Sequence, residues 1–424
     1  MRIVVRAADA RVARDAQALL ADAGITATAL AGPFRDAPDG EDIRILADDS
    51  VAPPAGDAAL LSTLIAGRIE EPPALGLAHG SGALALNAPR RLLAAQMDAW
   101  TRVAIAEEER ARRLATAATL GIAAPMPRKP RNLKALYIGA PSSAFLALER
   151  TLAGHNGLVA AAFTSYTGFD HLHDEPFDAV VLNGAHDPST ALSLCSALRR
   201  NATLYHLPTL VLTKPGDTAT AASAIDRGAS AVCTAITPSD ASMGWLFEAV
   251  RRERRRRAAE HDMRALRDLM GEARTGLWQR APFDAHLARL AADHHASGRP
   301  MSIVVLRVTP AIGAREPGPE VWRKGFSEIA SLAARLMRDA DSGVTLGTDL
   351  IALALPAARL KNAKRTAERI ASVAECTAFA SGEDGAGPLV FEQSVVELQP
   401  GESGAAMLAR ALRAIDVEVD SISA

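Results

Sequence analysis

The segment Phe177–Asn183 reads FDAVVLN, and Leu207–Leu212 follows it as LPTLVL. Each is a short apolar run without helical periodicity, which is typical of a strand buried on both faces of a parallel sheet. Predicted helices lie on either side, at Ala144–Leu152 and Ala221–Arg227. Strands that alternate with helices in this way predict an α/β fold with right-handed crossovers.

A similar alternation comes earlier in the chain, so the two halves look like copies of one unit. Each copy ends in a long helix, predicted over Arg90–Leu120 and over Met243–Met270, and prolines between positions 125 and 130 mark the linker. The other elements predicted in the first copy are the strands Arg2–Val5, Ile25–Leu30, Ile43–Leu46 and Ala74–Leu77 and the helix Asp9–Ala23.

The order of elements changes after about Gly271. The predicted elements there are strand Met301–Val308, helix Val321–Leu336, hairpin Gly343–Pro356, helix Ala358–Val373, strand Leu389–Leu398 and helix Gly404–Ala414. We therefore predict three domains, at residues 1–122, 131–262 and 271–424, which suits a chain of 424 residues.

Composition excludes several classes of function. The formal net charge is only -2, so no global field favours nucleic acid. The three cysteines are scattered and form no CxxC pair, which favours a reducing cytosol over disulfides or a zinc cluster. No apolar run is long enough to span a bilayer. These observations predict a cytoplasmic protein without membrane insertion.

Motifs of the third segment occur in the order found in GGDEF domains, the catalytic domains of diguanylate cyclases. TGLWQR at Thr275–Arg280 is similar to the family's opening motif, and ALALP at Ala352–Pro356 and AERI at Ala367–Ile370 match later ones. The whole layout resembles PleD-like and PopA-like response regulators, in which two receivers precede a GGDEF domain. The resemblance implies two flavodoxin-like receiver domains followed by a nucleotide-cyclase-like α/β domain.

The positions that serve cyclase chemistry in this family have changed. Cyclases hold GTP with divalent metal, and hard Mg²⁺ needs carboxylates. Arg307 stands where the family has a metal-binding aspartate, and Leu350 stands where it has an acidic metal ligand. Thr348 replaces the second glycine of the signature loop, and Asp349 is interpreted as a solvated turn residue. We therefore predict a protein that is not an enzyme, with no catalytic residues, no metal and no cofactor.

An inhibitory product site of the family is retained. The family binds cyclic di-GMP at an RxxD motif before the signature loop, and Arg338 and Asp341 match it, with Arg369 as a third partner on the next helix. A guanidinium can donate two bonds to guanine O6 and N7, and a carboxylate can accept from its N–H edge. The alternative is a solvated pair that caps a helix.

Both receiver-like domains lack phosphorylation chemistry. In the second, Asn183 takes the acceptor place, and Gly139 and Ala140 replace the acidic pair. The first has Arg6 and Ala7 after its opening strand and Asn87 where a lysine belongs; Asp48 and Asp49, near the acceptor place, are interpreted as loop carboxylates. The run RRERRRR at Arg251–Arg257 predicts a solvated helix, with an anion or partner patch as the alternative.

These observations together predict a non-catalytic cyclic di-GMP effector that forms a homodimer. Resemblance to PopA-like proteins implies protein partners in signalling or regulated proteolysis, a role in the cell cycle and location at a cell pole. Two alternatives stay open, an active diguanylate cyclase and a nucleotide-free dimeric scaffold.

Overall fold

The structure is a computed structural model. It describes residues 1–32, 42–48, 63–71, 82–126, 131–235, 238–314, 317–381 and 388–422. The chain divides into two compact units, one of Met1–Ala104 with Pro127–Ala258 and one of Ile105–Met126 with Ala259–Ala424. None of the helices in the described ranges is long and apolar enough to cross a membrane.

The first sheet of the first unit is parallel, with the strand order β2-β1-β3-β4-β5. This is the flavodoxin-like order, which places the carboxyl ends of all strands at one edge. The predicted strand Ala74–Leu77 lies outside the described residues. The elements are β1 Ile3–Ala7, α1 Ala10–Asp22, β2 Thr28–Ala31, β3 Ile43–Leu46, β4 Thr63–Gly67, β5 Gly82–Ala85 and α2 Arg90–Thr119.

The second sheet of that unit repeats the topology, with the order β10-β9-β8-β6-β7 and parallel pairing throughout. Every residue of its central strand β8 is buried, as the FDAVVLN pattern predicts. The elements are β6 Lys134–Ile138, α3 Ser143–Gly154, β7 Leu158–Ala162, α4 Ser165–Asp174, β8 Ala179–Asn183, α5 Pro188–Arg200, β9 Thr209–Thr213, α6 Thr218–Asp226, β10 Ala231–Thr234 and α7 Asp240–Met270.

The sheet of the second unit is antiparallel, with the order β12-β13-β11-β14. Its β-α-β-β-α-β succession is the ferredoxin-like arrangement. The elements are α8 Arg280–Ser297, β11 Met301–Pro310, α9 Pro319–Leu336, β12 Ser342–Leu346, β13 Leu350–Pro356, α10 Leu360–Glu375, α11 Ala378–Ser381, β14 Leu389–Glu397 and α12 Gly404–Ile422.

Helices cover both faces of this antiparallel sheet, and the strand sequence shows why. Along β11, Val304 and Leu306 pack with α9 and α10, while Ile303 and Val305 pack with α8 and α12. Successive strand side chains point to opposite faces, so a continuous apolar run requires cover on both. The second unit is therefore a three-layer structure.

The predicted α/β class is confirmed, and both parallel sheets have the flavodoxin-like order. The three sheets fall within the three predicted segments, whose boundaries stay predictions. The prediction of a solvated helix at Arg251–Arg257 was wrong in part, because Arg251 is only 2% exposed. Arg252 Nη1 also donates a hydrogen bond to Glu248 Oε2 at 3.0 Å within the same helix.

Candidate ligand site

The turn that carries the RxxD residues joins the end of α9 to β12. The Arg338 amide donates to Asp341 Oδ2 at 2.9 Å, and the Asp341 amide donates to the Arg338 carbonyl at 3.0 Å. These reciprocal bonds close the turn and satisfy a backbone donor just beyond the helix. They leave the Arg338 side chain exposed, while Asp341 is only 5% exposed.

The environment of Asp341 opposes its ionisation. Burial raises the pKa of this carboxyl to about 6, although the amide and the charge of Arg338 act in the other direction. The carboxylate is therefore largely ionised at about pH 7.5 and largely protonated at about pH 5. To accept from a guanine, it must also share or give up its bond to the Arg338 amide.

A second arginine, Arg113 of α2, holds the same turn through its backbone. Its Nη2 donates to the carbonyls of Asp339 and Asp341 at 2.7 and 3.1 Å, and its Nη1 donates to the Met263 carbonyl at 3.0 Å. The guanidinium also lies 5.3 Å from the ring centroid of Trp278. The planar fork of arginine suits such multiple bonding, and it fixes the position of the turn.

Arg113 is itself held by a buried carboxylate. Glu109 is 1% exposed and accepts from Arg113 Nε at 2.8 Å and from Arg112 Nη1 at 2.5 Å, and His286 Nε2 lies 3.0 Å from its Oε1. Burial opposes ionisation, yet the neighbouring His286 and the charges of Arg113 and Arg112 hold the pKa of Glu109 well below its usual range. Sequence reasoning missed this cluster; its signal was the i, i+3 and i+4 spacing of charges in EEERARR at positions 107–113.

Arg369 reaches the same end of α9 from α10. Its Nη2 donates to the Leu336 carbonyl at 2.9 Å, and the side chain is otherwise exposed. A cation at a helix carboxyl terminus is favoured by the helix dipole and by the unpaired carbonyls there. The structure thus brings Arg338 and Arg369 to one exposed end of α9. The Asp341 carboxylate instead accepts a bond from the backbone of the turn that contains it.

Arg307 and Leu350, which the GGDEF resemblance aligns with metal-ligand positions, are neighbours across the sheet. Arg307 of β11 lies opposite Leu350 of β13 and opposite Glu392 of β14. Its Nη1 lies 3.7 Å from Glu392 Oε2, so the acidic group nearest to it across the sheet is in an ion pair. These two neighbouring positions therefore offer a guanidinium and an alkyl group, neither of which can ligate a metal ion. The loop between the strands begins at Gly347, whose φ of 85° suits glycine.

At the carboxyl edge of the second parallel sheet, an amide and a phenol occupy the place that the receiver resemblance assigns to a phosphoacceptor. Asn183 Nδ2 donates to the Tyr137 hydroxyl at 2.7 Å and to the Ala140 carbonyl at 3.1 Å. A Cβ at Gly139 would lie 2.6 Å from Asn183 Cβ, so only glycine fits beside it. In the first sheet, Asp48 Oδ2 accepts from the Ala8 amide at 2.9 Å, and Asp49 lies outside the described residues.

We expect that neither parallel-sheet domain takes phosphate from acetyl phosphate with Mg²⁺. Asn183 offers an amide rather than a carboxylate, and neither first strand is followed by an acidic pair that could hold the metal. Intact-mass spectrometry should show no added phosphate. A stable aspartyl-phosphate at Asp48 or Asp49 would contradict the reading of the first domain.

No protein-family model matches the chain, and no curated protein matches it. Parts of it are similar to solved structures. The GGDEF domain of DgcB from Caulobacter crescentus in complex with c-di-GMP is 19% identical, with a TM-score of 0.30 over 36% of this chain and 88% of that one. Diguanylate cyclase SiaD from Pseudomonas aeruginosa, in complex with its activator SiaC, is 21% identical, with a TM-score of 0.31 over 40% and 68%. A response regulator from Chloroflexus aurantiacus is 20% identical, with a TM-score of 0.24 over 24% and 85%.

Proposed function

We propose that the chain is a cyclic di-GMP effector of the receiver–receiver–GGDEF kind that does not make cyclic di-GMP itself. The observation that carries the proposal is the exposed pair of guanidinium groups, Arg338 and Arg369, at the carboxyl end of α9. Two such forks suit guanine and phosphate oxygens. Arg113 supports the proposal because it holds the intervening turn in place before any ligand arrives, which lowers the cost of binding.

The absence of cyclase activity is part of the proposal. Triphosphate chemistry needs metal-bound carboxylates at two family positions, which here hold Arg307 and Leu350. The guanidinium brings a positive charge to the place of a cation, and the leucine offers no oxygen. Either change removes one ligand, and the two lie side by side on adjacent strands.

We expect no cyclic di-GMP from purified protein incubated with GTP and either Mg²⁺ or Mn²⁺. Chromatography of the reaction is compared with a no-protein blank and with an active diguanylate cyclase as positive control. Product above the blank would contradict the non-catalytic reading and favour the active cyclase. Such product would not test whether the chain also binds cyclic di-GMP, which the titrations measure separately.

Cyclic di-GMP binding should weaken as pH falls, because the proposed guanine contact needs Asp341 ionised. With a pKa of about 6, about one carboxyl in ten is ionised at about pH 5. Affinity should therefore be roughly tenfold lower there than at about pH 7.5. Asp341→Asn is the matched control, since its affinity should be lower at about pH 7.5 and nearly flat with pH. Equal affinity of the wild type at both pH values would show that the Asp341 carboxylate does not contact the ligand.

The nucleotide-free scaffold is the competing function, and one observation favours it. The Asp341 carboxylate is occupied by its own turn, so the RxxD residues also make sense as a helix-ending motif. Homodimerisation, recruitment of protein partners, a role in regulated proteolysis and location at a cell pole are proposals that rest on the resemblance to PopA-like proteins. Binding of cyclic di-GMP separates the effector from the scaffold.

A further inference from the structure

The first unit contains a cavity that the cyclic di-GMP site does not use. Its volume is about 280 Å³, close to the lower end of the roughly 300–1,000 Å³ typical of small-molecule sites. The walls come from α2, from α7, and from the segments around the carboxyl ends of α5 and α6. This is the amino-terminal edge of the second sheet, opposite the edge that carries Asn183.

Arginine dominates the charged lining of this cavity. Two carboxylates, Asp226 and Glu253, face five arginines, which are Arg91, Arg102, Arg199, Arg252 and Arg256. Three of the five have direct acidic partners: Arg91 pairs with Asp226 at 3.5 Å, Arg252 with Glu248 at 3.0 Å and Arg256 with Glu253 at 2.7 Å. Arg102 and Arg199 therefore decide the net charge of the cavity.

Arg199 supplies a fixed positive charge without a carboxylate partner in the described part of the chain. Its guanidinium donates to the carbonyls of Gly228, Tyr205 and Leu207 and to the Thr209 hydroxyl. Four of its five N–H groups are thereby used on neutral oxygens. The charge is held rigidly, and Glu253 of the same lining attracts it without forming an ion pair with it.

Arg102 is the available donor. Its side chain is exposed on α2 and makes neither a hydrogen bond nor an ion pair with the residues that the structure describes. His206 lies in the same lining and reports the local field, since burial and then the charge of Arg256 lower its pKa to about 4. The ring is neutral at physiological pH and adds no charge of its own.

The remaining wall is apolar. Leu92, Ala99 and Val103 of α2 and Ile225 of α6 line it. A small inorganic ion would leave this apolar surface exposed to water. An organic ligand would cover it, and the burial of apolar surface would favour binding. The cavity therefore has a positively charged wall and an apolar wall. A complementary ligand would carry an anionic group attached to a small ring or carbon chain.

We propose that this cavity binds a small phosphorylated molecule no larger than a mononucleotide, with its phosphate at Arg102 and Arg199 and its carbon body against α2. A phosphate group suits Arg102 because its oxygens accept paired, charge-assisted bonds from a guanidinium fork, while Arg199 adds its charge and its one remaining N–H. The site is separate from Arg338 and does not rest on cyclic di-GMP binding. Two residues of the Arg251–Arg257 run, Arg252 and Arg256, line the cavity. The proposal therefore assigns a defined anion site to the run that the sequence offered as an anion patch.

The test is calorimetric titration of the full chain with guanosine monophosphate and with adenosine monophosphate, using guanosine as the uncharged control. Wild type should bind at least one of the two monophosphates saturably, and guanosine much more weakly. Arg102→Glu should weaken binding roughly tenfold or more, because it replaces a donor with a like charge. Ala99→Phe fills the apolar wall without changing charge and should also weaken binding.

Arg150→Glu is the matched control, because Arg150 is an exposed arginine of the same unit that does not line the cavity. It should bind like wild type. Absence of saturable binding of both monophosphates to wild type overturns the proposal. Undiminished affinity of a folded Arg102→Glu variant overturns it as well.

Discussion

Replacing Arg338 with alanine is expected to weaken cyclic di-GMP binding roughly 5- to 150-fold. A bidentate arginine–guanine contact is worth about 1–3 kcal/mol, and each ~1.4 kcal/mol is a factor of ten in affinity. The Arg338 side chain is exposed, and its turn is closed by backbone atoms and by Asp341 rather than by its guanidinium. The substitution should therefore remove the ligand contact and leave the turn intact.

Two other arginines near the same helix end make this result specific. Arg369→Ala should have a smaller effect, because Arg369 is expected to meet phosphate or a second ligand molecule, a contact that other groups can partly replace. Arg335→Ala removes an exposed arginine one turn earlier on α9 and should have no effect. Calorimetry at about pH 7.5 compares the three variants. If Arg338→Ala binds as tightly as Arg335→Ala, Arg338 is not the guanine contact.

The largest stability loss is expected at Glu109. Glu109→Ala removes the carboxylate between Arg112 and Arg113, which are 6% and 1% exposed. Arg112 keeps Glu108 and Asp293 as partners, but Arg113 keeps no carboxylate, only backbone carbonyls and the ring of Trp278. Breaking a buried ion pair by removing one partner costs about 3–5 kcal/mol. The unfolding temperature of the second unit should fall by on the order of 10 °C.

Differential scanning calorimetry measures this effect, with Glu328→Ala as the matched control on an exposed site of the same unit. Glu109→Gln should fall between the two, since it keeps an acceptor but loses the charge. Because Arg113 holds the carbonyls of Asp339 and Asp341, Glu109→Ala should also weaken cyclic di-GMP binding. A transition as high as that of Glu328→Ala would show that the cluster contributes nothing measurable to stability.

The sequence predicted strands well where β-branched residues dominate. Ile43–Leu46 was predicted with the observed limits, and β8 and β9 were found from their valines and leucines. No strand was predicted at β7, LVAAA, or at β5, GALA. Alanine and glycine have low strand propensity, so pairing with neighbouring strands decides these segments. Such pairing is a tertiary effect that local sequence does not carry.

The residues of the candidate site could be predicted from the sequence, but the orientation and burial of some of them depend on tertiary structure. The resemblance to GGDEF domains grouped Arg369 with Arg338, and both side chains lie at the carboxyl end of α9. The inward orientation of Asp341 depends on backbone geometry after Met337 and could not be inferred from RxxD. The burial of the EEERARR charges could not be inferred from that run alone, because it depends on His286 and on the turn near Asp341, both distant in sequence.

The decisive titration adds cyclic di-GMP to the full wild-type chain at about pH 7.5, with cyclic di-AMP as the control for guanine recognition. We expect a saturable heat with cyclic di-GMP at tens of micromolar ligand or below, and little or none with cyclic di-AMP. No heat from cyclic di-GMP under those conditions would contradict the effector function and leave the nucleotide-free scaffold in its place.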